Sequence, residues 1–494
     1  MDKDKIKIKL ERHKWPDEVE NEKRQKSKLW KTLLIVGISL AIGFTFGSVL
    51  SPQTVTEPNS NIARFERVYN RLLSNWYFKN DMEDPASQLI ENAINGMIDY
   101  NGDIHTSYMT LEESEQFASS IDMSFVGIGV EYFADENLIT RVFKDSPAER
   151  AGILAGDIMI AADGVRFEGL DADEDIRELI LGEVGTVVKI TVKRLGEVIT
   201  LDVVRDHINA LTWGEMIDDT TGYVEISSFG QNLKAATELY LKDFKTQGAK
   251  NLIIDFRDNG GGYLDAINDL SELFFEAGTT VYFEQFTDGN EVEYQVRPHN
   301  GDIYTYDKIV ILVNGNTASA SEVFTLALQS NLGSVIVGDV TYGKGTVQTQ
   351  VQDGVDSSFL KYTFAKWFSP DKTNIHQTGI TPDYQVVLPD IFYETYPVLE
   401  ENESFGYDTV HDSIAYVQKG LSFLGYHTGR TDGYFDSNTR AAILNFKNDV
   451  ELTTGDVIDH DTIASVYSAV IKEWSHNKKI HDVQYQKALE VIHN

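Results

Sequence analysis

The stretch from Ile309 to Gln348 constrains the chain more than any other. Ile309 to Val313 is an unbroken apolar run, Asn314-Gly-Asn-Thr-Ala-Ser319 is a turn of small residues, and Ala320-Ser-Glu-Val-Phe-Thr-Leu-Ala-Leu328 begins a helix. Val335-Ile-Val-Gly-Asp339 follows as a second buried strand. The segment thus reads as strand, turn, helix, strand, the unit from which parallel sheets are built. Such a turn holds Ser319 on a rigid support, beside helix-start N–H groups that favour developing negative charge. Tyr342-Gly-Lys344-Gly-Thr-Val-Gln348 leaves the second strand at the same end of the sheet, which lets Lys344 meet Ser319. A neutral lysine amine can take a serine proton where burial lowers its pKa. Gln348, four residues on, is placed to hold that amine by a hydrogen bond. Singly, small residues after a strand are more often close packing, and Gly-Lys-Gly is usually a turn.

Together, Thr317-Ala-Ser319-Ala-Ser-Glu322 and Tyr342-Gly-Lys344-Gly-Thr-Val-Gln348 resemble the paired motifs of the carboxyl-terminal processing proteases, the tail-specific Ser/Lys peptidases of family S41. Thr317 replaces the first serine of the family's Ser-Ala-Ser-Ala-Ser-Glu and keeps its hydroxyl. The resemblance implies Ser319 as nucleophile, Lys344 as general base and Gln348 as the partner that orients the lysine. Asp255-Phe-Arg-Asp-Asn259-Gly-Gly-Gly262 follows another buried strand and resembles the family's Asp-Leu-Arg-x-Asn-Pro-Gly-Gly. This implies an oxyanion hole made by the amide of Gly261 or Gly262 with that of Ala320. Gly260 stands where proline is common and leaves the choice of glycine open. The same run lacks the Lys-Ser/Thr of a phosphate-binding loop. No cofactor is implied and no metal set is found: His376 has no second ligand at suitable spacing, and His105 reads as a turn residue before it reads as a base.

With 494 residues the chain has room for about three domains, taking ~150 residues per domain as a soft prior. The absence of cysteine excludes disulfides, thiolate catalysis and Cys-based zinc sites. Residues 1–31 hold eleven Lys/Arg against seven Asp/Glu, a surplus of four, so the remainder carries −38 of the net −34. An acidic body of this kind argues against a nucleic-acid partner.

Residues 1–29 read as a solvated basic cytoplasmic tail. Residues 30–50, whose stretch from Leu33 to Leu50 is uncharged and mostly apolar, read as one transmembrane helix with the body outside the cell membrane. A cleaved signal peptide is the rival reading. Residues 51–61 are a polar linker. In 62–111, Phe65, Val68, Tyr69, Leu72 and Leu73, then Leu89, Ile90, Ala93, Ile94 and Met97, predict two amphipathic helices. Asp103-Ile-His-Thr-Ser-Tyr-Met109 resembles the family signature that closes this segment, with Ile104 in place of proline.

Residues 112–206 resemble a PDZ domain. Phe125-Val126-Gly127-Ile128-Gly129-Val130 resembles its carboxylate-binding loop, and Ser146-Pro-Ala-Glu-Arg-Ala-Gly-Ile-Leu-Ala-Gly-Asp157 its Pro-Ala…Ala-Gly…Gly-Asp core. Such a loop offers consecutive N–H groups to a substrate's terminal carboxylate, while the peptide adds to the sheet edge. Val187 to Val192 reads as the closing strand. Leu181-Gly182 replaces the Arg-Gly of many relatives and leaves open whether this domain activates or only delivers. The implied protease core occupies 207–395. Residues 406–468, with Gln418, Leu424-Gly-Tyr426, Asp432-Gly-Tyr-Phe435 and Thr439, resemble a peptidoglycan-binding domain, with Asp436 where glycine is usual. Residues 471–494 resemble a terminal helix that pairs protomers in a homodimer.

The expected fold is therefore multidomain α/β: a transmembrane helix and helical segment, a β-rich PDZ domain with two helices, a protease core of crotonase/Clp-like type and a small three-helix peptidoglycan-binding domain. The expected function is that of a membrane-anchored serine endopeptidase acting outside the cell membrane on proteins recognised by their C-terminal tails. Two other classes remain: a catalytically silent, wall-tethered PDZ scaffold, and a wall glycan hydrolase, which would need a paired-carboxylate cleft that no motif singles out.

Overall fold

The computed structural model describes residues 61–494 except 134–136, 168–169, 171–172, 195–196, 353–356, 401–402 and 453–454. The expected tail, the anchor and all but the last residue of the linker lie outside the described residues. Among those described, no helix is long and apolar enough to cross a membrane. Residues up to Gly96 and residues from Met97 onward form two compact units. The first holds α1 (Asn61–Asn75) and most of α2 (Pro85–Asp99), the two amphipathic helices, with the Tyr69 hydroxyl donating to the Ala86 carbonyl at 3.3 Å.

The second unit opens with β1 (Ser107–Met109) and α3 (Leu111–Asp122). Thr110 caps α3: its hydroxyl accepts the Glu113 N–H, and the Glu113 carboxylate accepts the Thr110 N–H at 2.8 Å. The next segment runs β2 (Ser124–Gly127), β3 (Val130–Phe133), β4 (Leu138–Val142), α4 (Pro147–Ala151), β5 (Ile158–Ala162), β6 (Val165–Arg166), α5 (Asp173–Ile180), β7 (Val187–Arg194), β8 (Glu197–Val204) and β9 (Asp206–Asn209). Its main sheet has the order β3-β4-β5-β7-β8, and β2 pairs separately with β9. The predicted closing strand is β7, but β8 lies outside it, because the alternation of Ile199, Leu201 and Val203 turns a second strand onto the same core. At the other margin β3 pairs with β4 alone among the described residues. α5 ends against Arg205, which donates to the Ile180 carbonyl at 2.7 Å and the Leu179 carbonyl at 2.9 Å and so satisfies helix-end acceptors.

The central layer runs β10 (Thr212–Asp218), β11 (Thr221–Ile226), α6 (Leu233–Gln247), β12 (Asn251–Asp255), α7 (Leu264–Ser271), β13 (Thr280–Phe286), β14 (Glu291–Gln295), β15 (Lys308–Val313), α8 (Ala320–Leu332), β16 (Val335–Gly338), β17 (Thr346–Gln352), β18 (Phe359–Phe368) and β19 (Tyr384–Gln385). β11, β12, β15, β16 and β19 are parallel neighbours, and β10 closes one edge antiparallel. Both faces of this sheet are covered, which is why its strands read as continuous apolar runs. Leu252, Ile254, Ile309, Ile311 and Val313 point into one core with residues of α6, α7 and α8. Ile253, Val310, Leu312 and Val337 point to the other. A second, antiparallel sheet joins β1, β18, β13 and β14, with β17 also on β18.

The chain then leaves for α9 (Asp412–Phe423), α10 (Ser437–Asp449) and α11 (His460–His476), three helices around their own apolar cluster. Asp436, unusual in sequence, accepts the Thr439 N–H at 2.9 Å and caps α10. After α12 (Lys478–His481) the chain returns as α13 (Val483–His493). Tyr485, Ala488, Val491 and Ile492 of α13 pack on the second face of the central sheet. The terminal helix expected to pair protomers thus packs on this chain's own strands.

Candidate functional site

Ser319 lies between β15 and α8 with φ 57° and ψ −118°, a backbone state that a non-glycine residue holds only when its surroundings impose it. Those surroundings are the turn after β12. The Thr317 hydroxyl donates to the Phe256 carbonyl at 2.8 Å, the Ala318 N–H to the Asn259 carbonyl at 3.0 Å, and the Ser321 hydroxyl to the same carbonyl at 3.1 Å. Asp258 Oδ1 accepts from the side-chain amides of Asn314 and Asn316, each at 2.9 Å. The hydroxyl that Thr317 shares with the family's serine is therefore in use.

The glycine turn touches the serine. A Cβ on Gly261, at φ 103°, would lie 2.8 Å from Ser319 Cβ and 3.0 Å from the Ala320 nitrogen. The Gly261 N–H donates to Asn259 Oδ1 at 2.9 Å. The Gly262 N–H donates to no group among the described residues, and Ala320, first residue of α8, has a helix-start N–H without an intrahelical acceptor.

Glu322 joins the two sequence motifs. Fully buried, it accepts the Ser319 N–H at 2.8 Å, the Lys344 N–H at 2.9 Å, the Gly343 N–H at 2.7 Å and the Thr341 hydroxyl at 2.5 Å. Burial pushes its carboxyl up against these hydrogen bonds, which favour the charged form. The motif reading gave this residue no role, yet a carboxylate three positions after a helix-start serine is the spacing of a capping box.

Ser319, Lys344, Gln348, Gly261 and Gly262 all line one cavity of about 780 Å³. The Lys344 amine is held below its ordinary value by burial first and by the positive charge of Lys361 second; Asp103 and Glu322 oppose this. Lys361, brought in by β18 opposite Ser107 of β1, lines the same cavity. No sequence motif marked it, since it arrives through long-range strand pairing. Lys344 and Ser319 share the cavity without a hydrogen bond between them. Gln348 makes none to Lys344 either: its amide nitrogen donates to the Thr346 and Thr363 hydroxyls, both at 3.0 Å. His105 sits in its turn with its N–H on Asp103 Oδ1 at 3.0 Å, and burial, then Lys344, hold its imidazole below the ordinary value. His376 backs onto Gly345, where a Cβ would meet it at 2.7 Å. Among the described residues no His, Asp and Glu group could hold a metal ion.

A second groove, about 240 Å³, lies between β3 and α5. Ile128 and Gly129 line it with Phe125, Val130, Ile180 and Leu181. Val126 and Gly127 do not: they pair with His207 and Asp206 of β9. Leu181 reaches over the loop, 3.2 Å from where a Gly127 Cβ would stand.

The sequence profile of peptidase family S41 matches residues 220–386, that of the PDZ domain 138–194, and that of a peptidoglycan binding domain 410–465. The chain is 31% identical over 480 residues to a probable CtpA-like serine protease of Staphylococcus haemolyticus, covering 94% of each chain. To the carboxy-terminal processing protease CtpA of Bacillus subtilis it is 31% identical over 465 residues, covering 93% of this chain and 95% of that protein. Among solved structures, the photosystem II D1 C-terminal processing protease matches at 23% identity and a TM-score of 0.38, over 65% of this chain and 86% of that one.

Proposed function

Since this chain belongs to the carboxy-terminal processing serine proteases of peptidase family S41, we propose that Ser319 is its nucleophile and Lys344 its general base. The observation that carries the assignment is Glu322, whose one carboxylate fixes the backbone N–H of both residues at the mouth of one cavity. In the reaction the neutral Lys344 amine takes the Ser319 proton as the oxygen attacks the scissile carbonyl, and returns it to the leaving amine. The two groups line the same cavity, and the reaction requires the flexible lysine stem to carry the amine to the hydroxyl.

The oxyanion is received by the Ala320 N–H and the Gly262 N–H, since that of Gly261 is committed to Asn259. One such donor is worth ~3 kcal/mol in other proteases. Gln348 is tied to Thr346 and Thr363 at the start of β17 and lines the same cavity; to orient Lys344 it must exchange one of those partners for the amine. Substrate tails add to the open edge of β3, with the terminal carboxylate at the Ile128–Gly129 amides. Residues 30–50 anchor the chain in the cell membrane with the body outside, and the module at 406–468 holds it to peptidoglycan.

Labelling with a small hydroxyl-reactive acylating inhibitor tests the assignment. Mass mapping is expected to find the adduct on Ser319, and Lys344→Arg, which cannot act as a base near neutral pH, to lose both label and cleavage. Label on another residue, or turnover retained by Lys344→Arg, would discard the dyad; no label and no cleavage by the unaltered chain would favour the silent scaffold.

A further inference from the structure

Five Asp or Glu residues are buried among those described. Asp157 is answered by Arg194 at 2.6 Å, Asp255 and Asp482 by Arg257 at 2.6 and 2.7 Å, and Glu322 by three N–H groups and a hydroxyl. Glu284, only 3% exposed, has one hydrogen bond, from the Tyr294 hydroxyl at 2.9 Å, and no Lys, Arg or His within ion-pair distance among the described residues. A carboxyl buried without a cation is expensive to keep charged. Burial indeed pushes Glu284 up, and Asp265 adds to the shift.

Glu284 stands in the wall of the cavity that Ser319 and Lys344 line. Its neighbours there are Leu264, Phe286, Tyr294 and Phe364, with exposed Asp265 at the rim. Phe286 and Phe364 have ring centroids 5.8 Å apart, and Tyr294 is stacked on Tyr282 at 4.5 Å, so these walls are fixed. The cavity's own cations, Lys344 and Lys361, lie beyond ion-pair distance of Glu284. An apolar channel ending in an unanswered carboxyl suits a side chain with a long aliphatic stem and a cationic head. The glycine turn that receives the oxyanion runs directly through Tyr263 into Leu264 and Asp265. A residue whose carbonyl sat on that turn would have this wall within reach of its side chain.

We propose that this end of the cavity is a subsite for a lysine or arginine side chain on the substrate residue that supplies the scissile carbonyl, its head group held by Glu284 with Asp265. This rests on the reading of Ser319 as nucleophile. The test uses the full chain in detergent micelles and three otherwise identical quenched peptides bearing lysine, norleucine or glutamine before the cleaved bond. The lysine peptide is expected to exceed norleucine by about tenfold or more in kcat/KM, and Glu284→Gln to bring that ratio close to one. Equal cleavage of lysine and norleucine, preference for glutamine, or a ratio untouched by Glu284→Gln overturns the subsite. Should Glu284→Gln fail to fold, the wild-type chain alone decides, by tighter inhibition with a peptide lysinal than with the norleucinal. If no peptide is cleaved and neither aldehyde binds, the Ser319 site falls first and the subsite with it.

Discussion

The Ser319 backbone, at φ 57° and ψ −118°, is a local cost that Glu322 and the Asn259 turn impose. Glycine usually loses ~0.5–1 kcal/mol to alanine through backbone entropy. Here the order is expected to reverse, Ser319→Gly melting above Ser319→Ala in calorimetry. Glu322→Gln removes the carboxylate that holds the N–H groups of Ser319, Gly343 and Lys344 in register. It is expected to lower cleavage about a hundredfold and stability by about 1.5–3 kcal/mol, both read on the purified chain. The Lys344 amine is held below its ordinary value by burial and Lys361, so cleavage is expected to rise with pH as the amine loses its proton. Lys361→Gln removes a repelling charge and is expected to move that rising limb to higher pH. The same shift means the unfolded chain binds this proton more tightly than the folded one. Lys344→Met is then expected to raise the melting temperature, most at pH below the folded pKa and less as the pH approaches 10.5.

At the scale of elements, the strand, turn and helix around Ser319 were legible because each signal is local: an apolar run, small residues, then helical periodicity. That Ser319 and Lys344 come to one end of the sheet, where both line one cavity, was legible from the handedness of the β15, α8, β16 connection. Glu284 and Lys361 were not, because β13 and β18 reach the cavity through antiparallel pairing whose register no short pattern records. The packing of α13 on the central sheet was not legible for a related reason. Its stripe of Tyr485, Ala488, Val491 and Ile492 announces an apolar partner without saying whose. That partner is the sheet, and Arg257, 7% exposed, ties it down through Asp482, the N-cap of α13, and through Asp255. Asp482→Ala leaves a buried guanidinium half-answered and is expected to cost about 3–5 kcal/mol in denaturant unfolding. Truncation after residue 482 is expected to give aggregated chain in size-exclusion chromatography, since it bares Tyr223, Val310, Leu312 and Val337.

At the scale of the whole molecule, the three-helix module is not an appendage. The chain enters it after β19 and comes back to the central sheet as α13. Replacing 404–470 by a short flexible linker is expected to abolish co-sedimentation with purified peptidoglycan while keeping α13 and peptide cleavage; loss of cleavage would show that the module also supports the core. The two attachments also have a mechanical meaning. A ligand held by this module would pull on an inserted segment rather than on a free end. Any load on the module would divide between β19 and α13, both seated on the sheet that also carries β15 and the Ser319 turn.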